Sequence, residues 1–124
     1  AFKQFTDKNG LLRIPQLKSD NKCVHAYYKY YVFVERKSLK DKWDRDRVIS
    51  EINSQGVPCF HGSCSEIYLE KAFENTNFRP KKRLTVAKEL GETSIVFLVH
   101  PTLSIEEMSE MAEKAISVFN RAIM

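Results

Sequence analysis

The spacing of hydrophobic and polar positions changes along the chain, and each spacing predicts a type of element. Residues 25–36 read HAYYKYYVFVER and give the strongest strand signal, because aromatic and β-branched side chains fit a pleated surface. Side chains two residues apart share one face of a strand. One face of this predicted strand therefore carries Tyr28, Tyr30, Val32 and Val34.

A helix is predicted over residues 41–53, followed by a short extended segment at 57–60. The carboxylate of Asp44 can accept hydrogen bonds from the free N–H groups of the first turn, which makes it the expected N-cap. Gly56 is expected to end the helix, because glycine adopts the left-handed conformation without strain. The buried stripe at helical spacing consists of Val48, Ile49 and Ile52.

The second half of the chain predicts irregular structure, a helix and a buried strand. Residues 61–80 have no sustained period, although a short helix is possible around 66–72. A helix is predicted over 83–90, with Gly91 as its end. Residues 94–99 form a short, uninterrupted apolar run, which favours a strand that is buried on both faces.

The last helix has the clearest signature. Ser104 and Glu107 form a capping box, in which each side chain binds the backbone N–H of the other residue. One face at helical spacing is apolar and consists of Ile105, Met108, Met111, Ala112, Ala115, Ile116, Phe119 and Ile123. The element order predicts an α/β (α+β) two-layer sandwich, in which helices cover a small, mainly antiparallel sheet of about three strands.

The first residues differ from the rest of the chain. Residues 1–23 are polar and irregular, and Gly10 and Pro15 interrupt any long helix there. We therefore expect 1–24 to be a linker and the end of an interdomain segment, and 25–124 to be the domain. The start has neither an initiator Met nor the apolar segment of a signal peptide, so we expect the 124 residues to be part of a longer polypeptide.

Composition excludes several protein classes. Hydrophobic residues make up 43% and charged residues 29% of the chain, as in ordinary globular proteins. No run approaches the roughly 18 apolar residues that a membrane-spanning helix needs, so no membrane association is expected. The cysteines are three, Cys23, Cys59 and Cys64. An odd number argues against a secreted disulfide framework and for reduced thiols in the cytoplasm.

Two cysteines and a histidine lie close together in the sequence. Cys59, His61 and Cys64 could in principle bind a metal ion, or form a Cys–His pair for nucleophilic catalysis. Their spacing is not that of a zinc ribbon, and the simpler interpretation is small core thiols beside a loop histidine. We therefore predict neither a metal site nor a catalytic residue here.

The net charge of +4 leaves a different class of function open. The basic run at 79–83 could bind phosphate groups, and exposed tyrosines could stack on bases. This would make the chain a stand-alone anion- or nucleic-acid-binding module. The run is short and the net charge small, so a solvated helix start is the simpler interpretation and a nucleic-acid partner is not expected.

Several short motifs together resemble a known family. They are HAYYKYY at 25–31, WDRDR at 43–47, GVPCF at 56–60, GSCSEIY at 62–68 and FLVHP at 97–101. In this order and spacing they resemble the C-terminal small domain of the DegT/DnrJ/StrS family of pyridoxal phosphate-dependent sugar aminotransferases. The resemblance covers about residues 25–121, and it implies the small-domain fold of fold type I pyridoxal phosphate enzymes.

The resemblance implies a function for the longer polypeptide. Members of the family transfer an amino group, usually from glutamate, to a keto-sugar that is often nucleotide-linked, in pathways such as polysaccharide biosynthesis. Pyridoxal phosphate and the lysine that binds it belong mainly to a large N-terminal domain, which this chain lacks. We therefore expect no catalytic or cofactor-binding residue here, an inactive fragment, and a cytoplasmic homodimer for the full-length protein.

The resemblance also implies a site. Small domains of this type cover the cofactor cleft and form one wall of the substrate pocket. Residues 59–68 are the predicted wall, and the residues predicted to contact substrate are His61, Ser63 and Tyr68.

Overall fold

The aromatic strand and the apolar strand near the C-terminus form the centre of the sheet. The computed structural model describes residues 1–7, 10–16 and 24–124; Cys23 lies outside them. In chain order the elements are α1 (Gln4–Asp7), β1 (Leu12–Arg13), β2 (Lys29–Val34), α2 (Arg45–Ser54), β3 (Cys59–His61), α3 (Thr85–Thr93), β4 (Ser94–Leu98) and α4 (Ile105–Ala122).

All neighbouring strands are antiparallel, in the order β1-β2-β4-β3. Val32 pairs with Ile95, and Cys59 pairs with Phe97. The predicted α+β fold with a small antiparallel sheet is confirmed. Within the described residues the sheet has four strands rather than about three, because the two-residue β1 is too short to leave a pattern in the sequence.

Helices α2 and α4 cover one face of the sheet and enclose the core. The core residues of β2, β3, β4 and these two helices are Val32, Val34, Cys59, Ile95 and Phe97 together with Val48, Ile49, Ile52, Ala115, Val118, Phe119 and Ala122. On β4 all residues from Ser94 to Phe97 are buried. Burial of this strand on both faces is therefore confirmed, although it ends at Leu98, one residue earlier than predicted.

Part of the segment predicted as a linker lies in the same core. Phe2, Phe5, Leu11 and Leu12 are buried. The ring of Phe119 lies 5.4 Å from the ring of Phe5 and 5.4 Å from that of Phe2. The division of the chain between residues 24 and 25 stays a prediction, but these four side chains pack as core residues.

Two of the predicted helix ends are confirmed by their hydrogen bonds. The backbone N–H of Arg47 donates to the Asp44 carboxylate at 2.7 Å, which caps α2. At the start of α4, the N–H of Glu107 donates to Ser104 at 3.1 Å and the N–H of Ser104 donates to Glu107 at 2.8 Å. Gly56 follows α2 with a φ of 77°, which is the left-handed conformation expected of it.

The predicted end of α3 is wrong. The helix runs through Gly91 to Thr93 instead of ending before it. A Cβ on Gly91 would lie 2.3 Å from the Ser65 hydroxyl. The glycine therefore gives space for the preceding loop to approach the helix, and it does not serve as a stop.

Two further expectations need correction. The short helix around 66–72 is a pair of single 3-10 turns at Ile67–Leu69 and Lys71–Phe73. The apolar face of α4 also extends past the core, since Ile105 is 73% exposed and Met108 is 46% exposed. An 18-residue helix is about 27 Å long, whereas a five-residue strand spans about 17 Å, so the first turns of α4 project beyond β4.

Candidate functional site: the loop after strand β3

The loop that follows β3 crosses the sheet from one face to the other. His61 ends the edge strand β3 and pairs with Ile95. Because side chains alternate along a strand, His61 shares the face of Cys59, on which α2 packs. Ser63 contacts Tyr31, which pairs with Val96 and therefore points to the opposite face. His61 and Ser63 are thus directed to opposite sides of the sheet edge.

The His61 imidazole is held by the first turn of α2. Its Nε2 lies 3.2 Å from Oδ1 of Asp46. Arg45 donates from Nε to the same Asp46 oxygen. The Arg45 guanidinium also donates from Nη1 to the carbonyl oxygens of Gly91 and Ser94, each at 3.0 Å. Arg45, Asp46 and His61 therefore form a chain of polar contacts that runs outward from β4.

These contacts lead from the largely buried guanidinium of Arg45 to the exposed imidazole of His61. The Arg45 side chain is only 14% exposed, whereas His61 is 61% exposed. The hydrogen bond from Arg45 lowers the pKa of Asp46, burial opposes this shift, and the proximity of His61 lowers the pKa a little further. Asp46 is consequently an anion at neutral pH, and a carboxylate anion can only accept hydrogen bonds.

Gly62 is the point of closest approach between the loop and the sheet. Its N–H donates to the Ser94 hydroxyl at 3.2 Å. A Cβ at this position would lie 2.4 Å from Ser94 Oγ and 3.1 Å from Cε1 of Tyr31. Only glycine lets the backbone pass this close to β4 and β2, so Gly62 sets the path that separates His61 from Ser63.

Ser63 lies beside an open groove on the other face. Its Oγ is 2.8 Å from the Tyr31 hydroxyl, and its N–H donates to that hydroxyl at 3.3 Å. The hydrogen bond from the Ser63 side chain lowers the pKa of Tyr31. The groove has a volume of about 370 Å³, and its lining consists of Pro15, His25, Tyr27, Tyr28, Lys29, Tyr30, Tyr31, Phe33 and Ser63.

Tyr68 belongs to a separate polar cluster. Its hydroxyl donates to Glu66 at 2.7 Å and accepts the backbone N–H of Leu84 at 3.1 Å. Arg83 makes two hydrogen bonds of 2.7 Å to the same carboxylate. These bonds, first that of Arg83 and then that of Tyr68, lower the pKa of Glu66 to about 2. The cluster connects the first part of the segment between β3 and α3, at Glu66 and Tyr68, to its last part, at Arg83 and Leu84.

The structure therefore does not bring the three predicted contact residues into one cluster. His61 is paired with Asp46, Ser63 with Tyr31, and Tyr68 with Glu66. Sequence reasoning identified none of these three partners. Residues 45–46 were part of a recognised motif, but nothing in the sequence shows that the start of α2 meets the end of β3.

Solved structures of aminotransferases resemble the chain. The aminotransferase from Psychrobacter cryohalolentis is 49% identical, with a TM-score of 0.88 over 97% of this chain and 31% of that chain. A DegT DnrJ EryC1 StrS aminotransferase from Brucella abortus is 18% identical, with a TM-score of 0.67 over 94% of this chain and 27% of that chain. The resemblance to the DegT/DnrJ/StrS aminotransferase small domain is confirmed.

Further comparisons agree at the level of the fold. The aminotransferase PseC from Helicobacter pylori, involved in the biosynthesis of pseudoaminic acid, is 16% identical, with a TM-score of 0.60 over 75% of this chain and 24% of that chain. No family model and no curated protein matches the chain. The chain spans less than a third of the length of these aminotransferases.

Pyridoxal phosphate, the cofactor of aminotransferases in this family, does not fit the residues present. The cofactor needs a lysine that forms a Schiff base, placed in a site closed to water. Within residues 1–7, 10–16 and 24–124, every lysine is exposed or half-exposed. We therefore derive no cofactor chemistry from this chain.

The alternative uses of the cysteines find little support in the geometry. Cys59 is fully buried, and burial raises the pKa of its thiol to about 12. A nucleophilic cysteine needs an accessible thiolate. Cys64 is exposed and donates to Glu70 at 3.5 Å. In the described ranges, no group of three or more His, Cys, Asp or Glu side chains could hold a metal ion.

The basic run at 79–83 is partly used within the fold. Arg79 donates to the carbonyl oxygens of Leu69 and Glu70, and Arg83 binds Glu66. Lys81 and Lys82 are exposed. Two of the four cations in the run therefore stabilise the segment between β3 and α3.

No helix in the described part of the chain is long and apolar enough to cross a membrane.

Proposed function

We propose that this chain is the C-terminal domain of a pyridoxal phosphate-dependent aminotransferase and that this domain closes the active-site cleft. The substrate of the full-length enzyme is a keto-sugar, either free or nucleotide-linked. The observation that carries the proposal is 49% identity over 97% of the chain to an aminotransferase of which the chain spans 31%. Identity at this level over almost the whole chain supports a shared role as well as a shared fold.

The division of roles follows from the residues that are present. The remainder of the polypeptide supplies the Schiff-base lysine and binds the cofactor, which carries the electronic part of the reaction. This chain supplies a wall that excludes water and orients the substrate. We expect the full-length protein to be a cytoplasmic homodimer, and the 124-residue chain to be inactive alone.

The sugar substrate is proposed from the sequence motifs and is in keeping with the H. pylori neighbour, which is involved in the biosynthesis of pseudoaminic acid. In residues 59–68 we propose His61, Ser63 and Tyr68 as substrate contacts. Both hydroxyls already have partners inside the domain. The His61 imidazole is exposed, and its Nε2 lies 3.2 Å from Asp46, so we propose Nδ1 as the nitrogen that contacts a ligand.

The test uses the full-length polypeptide that contains this chain. It is incubated with pyridoxal phosphate, glutamate and a panel of nucleotide-linked keto-sugars, and the formation of 2-oxoglutarate is measured. Amino transfer to a keto-sugar is expected. If amino groups are transferred only to keto acids, the keto-sugar is not the substrate. If the isolated 124-residue chain catalyses the transfer, the rest of the polypeptide is not needed for catalysis and the proposed division of roles is wrong.

The wall is tested by substitution in the same assay. His61→Ala, Ser63→Ala and Tyr68→Phe are each expected to raise KM for the keto-sugar more than KM for glutamate. Ser50→Ala, at an exposed serine on α2, is the matched control for Ser63→Ala and should change neither constant. Unchanged KM values for all three variants would show that residues 59–68 do not contact the substrate.

A further inference from the structure

The contact between Asp46 and His61 determines which imidazole nitrogen can bind a ligand. The Asp46 carboxylate is ionised beside Arg45 and can only accept. Nε2 of His61, 3.2 Å from this carboxylate, must therefore carry the hydrogen. In the neutral imidazole the other nitrogen, Nδ1, is then an acceptor. Within the described ranges 1–7, 10–16 and 24–124, Nδ1 of His61 has no hydrogen-bond partner.

We propose that Asp46 is a positioning residue for His61, and that it presents Nδ1 of His61 as the acceptor for a hydroxyl group of the substrate. The ligand class is a polyhydroxylated molecule, since a hydroxyl group can donate to a neutral imidazole. The proposal rests on the proposed function, in which residues 59–68 line the substrate pocket. It adds the residue that gives His61 its orientation and its tautomer.

The anchoring of Asp46 makes it suited to this role. Arg45 donates to the same Asp46 oxygen that lies near His61, and Arg45 is itself fixed by the carbonyl oxygens of Gly91 and Ser94 at 3.0 Å. The end of α3 and the start of β4 therefore determine where the carboxylate lies. His61 is attached to the same β4 through its pairing with Ile95, so both partners are fixed to one strand.

The strength of the contact depends on water. Asp46 is 67% and His61 is 61% exposed, so in the isolated chain the pair is screened and should contribute little to stability. Closure of a cleft removes water and strengthens such contacts. The effect should therefore appear in the kinetics of the full-length enzyme, as a loss of about tenfold in kcat/KM when the carboxylate is removed.

The experiment is a double-mutant cycle in the full-length polypeptide. Asp46→Ala is expected to lower kcat/KM for the keto-sugar about tenfold, mainly through KM, but to have almost no further effect when His61→Ala is already present. Asp46→Asn should recover part of the activity, because its amide oxygen can still accept. Asp41→Ala, at an exposed aspartate just before α2, is the matched control and should change nothing.

Equal losses from Asp46→Ala with and without His61 would overturn the proposal, since Asp46 would then act through Arg45 or the helix. No loss from His61→Ala in an active enzyme would also overturn it. A full-length polypeptide without aminotransferase activity would contradict the proposed function, and with it the substrate hydroxyl.

A spectroscopic measurement separates the tautomer from the activity. Long-range ¹H–¹⁵N spectra of the full-length polypeptide, labelled with ¹⁵N-histidine, at pH about 8, where imidazoles are mostly neutral, should show His61 with hydrogen on Nε2. Asp46→Ala should shift it toward a tautomer mixture, while His25 and His100 stay unchanged. Hydrogen on Nδ1 of His61 in the unmodified chain would overturn the proposal, whatever the activity.

Discussion

Gly62→Ala is the substitution that tests most directly how the candidate loop lies on the sheet. The added Cβ would lie 2.4 Å from Oγ and 2.8 Å from Cβ of Ser94, and 3.1 Å from the Tyr31 ring. Ser94 is only 4% exposed, so its side chain has no free space to move into. The loop must lift away from β4, and the hydrogen bond from Gly62 to Ser94 is lost with it.

The expected cost follows from these two effects. Overpacking of a buried contact destabilises by about 1–3 kcal/mol, and the lost hydrogen bond adds about 0.5–1.5 kcal/mol. Together they predict a loss of about 1.5–4.5 kcal/mol, or about 6–18 °C in melting temperature for a domain of this size. Urea unfolding followed by the fluorescence of Trp43, the single tryptophan, measures it directly.

Gly91→Ala is the matched control, because the same atom is added beside a different neighbour. Its Cβ would meet the Ser65 hydroxyl at 2.3 Å but the Ser65 Cβ only at 3.6 Å, so rotation of one half-exposed side chain relieves the contact. Alanine also gains up to about 1 kcal/mol of helix propensity. Gly91→Ala should be neutral or stabilising. If Gly62→Ala is as mild as Gly91→Ala, the close approach of the loop to β4 is refuted.

Three further predictions follow from burial and charge. Phe5→Ala should lower the free energy of unfolding by about 3–5 kcal/mol, because the ring is 1% exposed. Phe78→Ala, at a 79% exposed ring, should change it little. Equal melting temperatures of these two variants would show that the first residues lie outside the core. Iodoacetamide should label Cys64 but not Cys59 in the folded chain, since burial raises the pKa of Cys59 to about 12. Peptide mass spectrometry identifies the labelled cysteine, and a label on Cys59 in the folded chain would contradict the prediction. The pKa of Glu66 is lowered from 4.5 to about 2, so its contribution to stability is present above pH 4.5 and lost as pH falls toward 2. Urea titrations at several pH values should show that the free energy of unfolding lost by Glu66→Gln shrinks over that range. A loss that stays constant with pH would contradict the prediction.

The predictable parts of the fold are those that local chemistry determines. The caps at Asp44 and Ser104 need only neighbouring residues, and the structure confirms both. The burial of Phe5 could not be predicted, because its partner Phe119 lies at the other end of the chain. Strand β1 has two residues and no pattern, so its pairing with β2 becomes visible only in the sheet.

The contacts of residues 59–68 could not be predicted from the sequence. The family motifs predict this segment as the substrate wall, and that role stays a prediction. Continued alternation would place His61 and Ser63 on the same face, and the sequence cannot show that Gly62 redirects the loop, that Asp46 comes within 3.2 Å of His61 or that Tyr31 meets Ser63. Such contacts depend on the packing of α2 against β3 and on strand order, which a single sequence does not encode locally.

The segment from residue 60 to residue 92 suggests why such a loop is suited to closing a cleft. None of its side chains is buried, so it gains little from the hydrophobic effect. It is held instead by polar contacts to Asp46, Ser94 and Tyr31. Several of its large apolar side chains remain exposed, with Phe78 79% and Val86 66% exposed. A segment that is ordered by hydrogen bonds and exposes such side chains offers a surface for another domain to cover, and in the proposed enzyme we expect that domain to be the cofactor-binding domain.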